Sequence, residues 1–89
     1  MGSARPRPAR LAEKLLQIRQ SLGISQNELV KRMGIQDQIN YVYVSKYELD
    51  KNEPPAFVLL AYARLMRIPV ETLIDDRLDL PPQIRPHGI

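Results

Sequence analysis

One histidine, His87, and no cysteine leave this chain few groups for acid–base or nucleophilic chemistry near neutral pH. His87 stands close to the C-terminal end, where nothing in the sequence desolvates or orients an imidazole. No nucleophile has a partner base, and no glycine-rich phosphate loop is present. Asp75-Asp76 is a carboxylate pair without further ligands at metal spacing and reads as a solvated helix end. The residues therefore point away from an enzyme and imply neither a metal nor another cofactor.

The side chains suited to recognition cluster around Asn40 to Leu49. Lys46 can donate to guanine O6 and N7, Ser45 can bond either a base or a phosphate, and Val42 or Leu49 can meet a thymine methyl. Tyr41 and Tyr43 suit phosphates or base edges, and Asn40 joins the contacting set at the start of the same segment. Gln26 is placed to meet a phosphate at the positive end of a preceding helix. Lys51 and Asn52 are candidates for the next phosphate along a strand.

Those residues need a helix to present them. With about 100° per residue and Val44 at zero, Tyr47, Glu48 and Asn40 fall within about 60° of the inward direction. Val42, Lys46 and Leu49 then lie near the outward pole, with Ser45 beside them and Tyr41 and Tyr43 on the flanks. Tyr41-Val-Tyr-Val44 is rich in strand formers, yet a lone short strand would have no partner, so a helix over 41–49 capped by Asn40 is expected.

Four further helices are predicted. Leu11, Leu15, Ile18 and Leu22 recur at helical spacing in a first helix that Pro8 can open and Gly23 stops. Ser25-Gln26-Asn27-Glu28 is a capping box, closed by an Ile24–Leu29 staple, for a short helix from Gln26 to about Met33, ended by Gly34. Pro54-Pro55 open a fourth helix with Leu59, Tyr62, Ala63, Leu65 and Met66 as its buried face; Val70, Leu73 and Ile74 mark a fifth. Residues 1–8 read as a flexible basic arm, 9–77 as the folded domain, and 78–89, with Pro81, Pro82 and Pro86, as an extended or frayed tail. Leu78, Leu80 and Ile84 are expected outside the core, which makes the tail a candidate dimerisation segment.

The charge distribution agrees with an anionic partner. Formal net charge is +3, and Arg5, Arg7 and Arg10 share the first ten residues with no acid, whereas Glu71, Asp75, Asp76 and Asp79 crowd the other end. No apolar run approaches a membrane span, and a cysteine-free chain suits a reducing, cytoplasmic setting.

In their order, Ile18-Arg19, Leu22-Gly23-Ile24-Ser25-Gln26, Glu28-Leu29, Met33-Gly34, Val44-Ser45-Lys46-Tyr47-Glu48, the Pro54 helix and Ile68 to Ile74 resemble the phage-repressor and Cro-type helix-turn-helix family, also called the xenobiotic-response-element family. The resemblance runs from Leu11 to about Ile74 and implies an all-α, five-helix bundle whose third helix enters the major groove of double-stranded DNA as part of a small transcriptional regulator. It also implies a homodimer on a palindromic operator, and an ion pair between Arg19 and Glu48 that locks the reading helix to its scaffold. Gly34 to Glu48 is about four residues longer than the family pattern, which enlarges the turn over Ile35 to Gln38 and adds Gln36 and Gln38 as candidate contacts. Asp50 and Arg67 stand where the family often has a turn glycine. The competing reading is a protein-interaction module, such as an antitoxin holding a toxin, favoured by an outward Val42, Tyr43 and Leu49.

Overall fold

The computed structural model describes residues 7–84; His87, Pro86 and the arm up to Pro6, Arg5 included, lie outside the described residues. The described residues form α1 (Leu11–Leu22), α2 (Gln26–Met33), α3 (Tyr41–Glu48), α4 (Ala56–Met66) and α5 (Glu71–Ile74), with no strand among them. The β-prone Tyr41–Val44 run is thus helical. Burial of Val44 and Tyr47 on one helical face outweighs local propensity, and a strand would place them on neither common face nor ladder.

Three helices end in the same way. Past α2, α3 and α4 the chain turns through a left-handed residue, Gly34 (φ 72), Asp50 (φ 60) and Arg67 (φ 57). In each case the following N–H returns five residues: Ile35 to the Val30 carbonyl, Lys51 to that of Lys46, Ile68 to that of Ala63. These bonds satisfy carbonyls that a helix end otherwise strands. Glycine takes the left-handed conformation freely, whereas Asp tolerates it through its short polar side chain and Arg has no such aid.

Helix starts differ from the sequence expectation in detail. Ser25 Oγ accepts from Glu28 N at 3.0 Å, but the Glu28 carboxylate accepts from Arg32 Nε at 3.3 Å instead of reaching back, so only half of the capping box forms. Helix α1 begins at Leu11 rather than near Pro8, because its cap comes from the far end of the chain: Asp76 Oδ2 and Oδ1 accept from Ala9 N at 2.9 Å and Arg10 N at 3.0 Å. Arg10 in turn donates to Asp79 and to the Asp76 and Leu78 carbonyls. The acidic stretch is therefore a clasp on the start of α1, not merely a solvated helix end.

The core gathers Leu11, Leu15 and Ile18 of α1, Leu29 and Val30 of α2, Val44 and Tyr47 of α3, Val58, Tyr62 and Ala63 of α4, and Leu73 of α5. Val58 replaces Leu59 at the centre of the α4 face; Leu59, Leu65 and Met66 are only half buried. Leu80 and Ile84, 2% and 4% exposed, complete this core, contrary to their expected place outside it. Pro81 and Pro82 stand between them, and burial of two large aliphatic side chains, each worth about 1.5–3 kcal/mol, holds the segment against the bundle. Lys14 is a buried charge, 1% exposed, and its Nζ donates to the Thr72 and Asp75 carbonyls at 2.8 and 3.0 Å. A cation thus closes the negative end of α5, while burial pushes the Lys14 ammonium down from its ordinary pKa.

Candidate nucleic-acid interface

Helix α3 is fixed from its inner side. Val44 and Tyr47 sink into the core, and Glu48 carries the polar anchor: Arg19 Nε meets Oε2 at 2.8 Å and Arg19 Nη2 meets Oε1 at 3.0 Å. Two parallel bonds of this kind fix direction as well as distance. Arg19 also donates through Nη1 to the Ile24 carbonyl at 3.1 Å, and Gln26 Nε2 donates to Glu48 Oε1 at 3.0 Å. One carboxylate on α3 thereby ties that helix to the end of α1 and the start of α2. Glu48's hydrogen bonds raise the Arg19 pKa, overriding the opposite effect of burial.

At its other end α3 is capped by Asn40, whose Oδ1 accepts from Val42 N at 2.9 Å. The cap uses the oxygen of the amide and leaves its nitrogen donors. The enlarged turn before it is itself one helical turn, with Gln38 N and Ile39 N both directed to the Ile35 carbonyl. Ile35 and Ile39 are buried, so the extra residues are pinned at both ends while Gln36, Asp37 and Gln38 stay exposed.

The outer face is apolar and lightly charged. Tyr41, Val42, Tyr43 and Leu49 are large exposed hydrophobics, Lys46 is exposed and Ser45 half buried. Exposing so much apolar surface to water on one short helix gains nothing for folding, which is the mark of a surface meant to be covered. Beside it, Gln38, Tyr43, Lys51 and Asn52 line one cleft of about 600 Å³ between the enlarged turn, the end of α3 and the start of α4. Sequence candidates from three separate segments thus share one wall. Gln26 stands apart: one donor of its amide is committed to Glu48, so it serves the scaffold before it can serve a phosphate.

A helix-turn-helix family model matches residues 15–73, from the first half of α1 to the centre of α5. The chain belongs to the phage-repressor and Cro-type helix-turn-helix family. As a member it is a DNA-binding helix-turn-helix protein in the general sense, built on a family that is not enzymatic. Comparison with curated proteins and with solved structures gave no match. No helix among the described residues is long and apolar enough to cross a membrane.

Some features of this family member escaped the sequence reading. Arg7 Nη2 lies 2.8 Å from Asp50 Oδ1, joining the root of the arm to the end of α3. The Tyr62 hydroxyl is buried with no hydrogen-bond partner among the described residues, and burial next to Glu48 pushes its pKa up. Lys14 had a readable signal, since it stands three residues after Leu11 and four before Ile18, on the buried stripe of α1. The Arg7–Asp50 pair joins positions far apart in the chain, and the surroundings of the Tyr62 hydroxyl are set by packing across the fold; no local pattern encodes either.

Proposed function

We propose that the protein is a sequence-specific transcriptional regulator that binds double-stranded DNA, with α3 reading the major groove. The observation that carries this reading is the two-sidedness of α3: Val44, Tyr47 and Glu48 lock its inner face, leaving Val42, Ser45, Lys46 and Leu49 outward. In this arrangement Lys46 donates to guanine, Ser45 bonds a base or phosphate, and Val42 and Leu49 cover thymine methyls. Tyr41, Tyr43 and the Asn40 amide serve the entry of the helix. Lys51 and Asn52, with Gln38 on the same cleft, hold one phosphate strand. Gln26 and the start of α2 face the other, and Gln36 extends the contacts of the enlarged turn. The protein acts in the cytoplasm as a homodimer on paired half-sites.

The dimer surface belongs to exposed Ile74 and Leu78, since Leu80 and Ile84 are consumed by the core of their own chain. Selection of bound sequences from a random duplex pool tests the whole reading: a recurrent site with two half-sites supports it, and recovery of no preferred sequence counts against it. Monomeric sedimentation both free and on the selected duplex removes the dimer.

A second reading, a protein-interaction module of the antitoxin kind, is favoured by a specific observation. Phe57 and Leu60 are also exposed and line a groove with Met33, Ile35, Arg32 and Arg64 on the side of α4. Salt-insensitive or absent duplex binding favours this alternative.

A further inference from the structure

Asp50 is a misplaced charge three times over. Its left-handed backbone at the end of α3 needs glycine or asparagine as readily as aspartate. Its carboxylate stands at the negative end of a helix dipole. On the proposed reading it also stands beside the phosphates, between Lys46 and Lys51 in the chain. The backbone accounts for a residue that tolerates positive φ, and leaves the negative charge unexplained.

The structure supplies a partner for that charge. Arg7 Nη2 donates to Asp50 Oδ1 at 2.8 Å across an exposed surface, the two side chains being 43% and 62% accessible. Such a pair adds little to folding. Its effect is on the field at the end of the reading helix, where an unmasked carboxylate repels a duplex and a neutral pair does not.

We infer that Arg7 is a positioning residue whose contribution to duplex binding is to mask Asp50, and not to contact a phosphate itself. The inference rests on the DNA-reading role proposed above. It assigns Arg7 and Asp50 to one unit: the carboxylate holds the guanidinium at the end of α3, and without Asp50 the Arg7 side chain is released and its charge leaves that place, so that the two substitutions are not additive.

The test is a double-mutant cycle with Arg7→Ala, Asp50→Asn and the double variant, titrated against a selected duplex and a random-sequence duplex pool at fixed salt. Asparagine preserves the left-handed turn. Arg7→Ala alone should weaken binding roughly three- to tenfold on both probes, the effect of one unmasked charge near the backbone. Asp50→Asn should bind as the parent does or more tightly, and adding Arg7→Ala to it should change affinity by less than about twofold. An equal loss from Arg7→Ala in both backgrounds means that Arg7 meets a phosphate directly, and overturns the inference while leaving DNA reading intact. Weaker binding by Asp50→Asn overturns it too. A parent that binds neither probe removes the DNA-reading role and this inference with it.

Discussion

Arg19 and Glu48 meet through two parallel hydrogen bonds, 2.8 and 3.0 Å, with the carboxylate 5% exposed and the guanidinium 22%. The asymmetry in burial sets the outcome of mutation. Arg19→Ala leaves a nearly dry carboxylate without a counter-charge, the Gln26 amide still donating to it, and frees the Ile24 carbonyl, whereas Glu48→Ala leaves an arginine that water can reach. Arg19→Ala should cost about 2–4 kcal/mol, below the upper end for a fully buried pair because Arg19 keeps some solvent, and Glu48→Ala should cost less. Urea melts of both variants check the order; equal stability of parent and Arg19→Ala would show that the bridge does not hold α3.

Tyr62 carries its hydroxyl into the core without a partner among the described residues. Tyr62→Phe removes an unsatisfied polar atom and no hydrogen bond, so stability should stay level or rise by up to about 1 kcal/mol. A clear fall in Tm would reveal a bond to that hydroxyl.

Acid should loosen the clasp between the end of α5 and the start of α1. Asp75 is held at about 2, first by the Arg77 side chain and then by its backbone N–H; the Ala9 and Arg10 N–H groups hold Asp76 below the usual carboxylate range. Both are lowered on folding, so the stability they contribute is present above the unfolded value of 3.8 and lost as pH falls towards 2. Thermal melts across that window should show a falling Tm, with a shallower fall in Asp76→Asn. Identical slopes would detach Asp76 from acid stability.

Arg67 holds a left-handed backbone without glycine's freedom or the local hydrogen bonding of an Asp. Replacing it by glycine relieves strain of about 1–2 kcal/mol and adds about 0.5–1 kcal/mol of unfolded-chain entropy, so Arg67→Gly should leave stability level or raise it by up to about 1.5 kcal/mol. Differential scanning calorimetry reads the sign, and a lowered Tm would mean that the Arg67 side chain stabilises the fold.

What was legible in the sequence was what periodicity and caps encode. The apolar stripe of α1, Ser25 before α2 and Asn40 before α3 each state a helix locally, and Asp50 and Arg67 were recognisable as left-handed turns from their place in the family pattern. Arg19 and Glu48 were pairable only through that resemblance, because their partnership spans two helices. Leu80 and Ile84 were misread as outside the core: prolines around them hide the fact that an extended segment can still place side chains in a core. The Asp76 cap on α1 and the Arg7–Asp50 pair were illegible, since each joins positions far apart in the chain with no pattern to mark them.

The central claim is that α3 reads base edges through its outward face, and Lys46 tests it most directly. Titration of the parent and Lys46→Ala against a selected duplex, over a series of salt concentrations, should show parental affinity falling as salt rises. Lys46→Ala should lose about 1–3 kcal/mol on that duplex and much less on random-sequence DNA. Parental binding that ignores salt, or a Lys46→Ala loss equal on both duplexes, would contradict a base-reading role for α3.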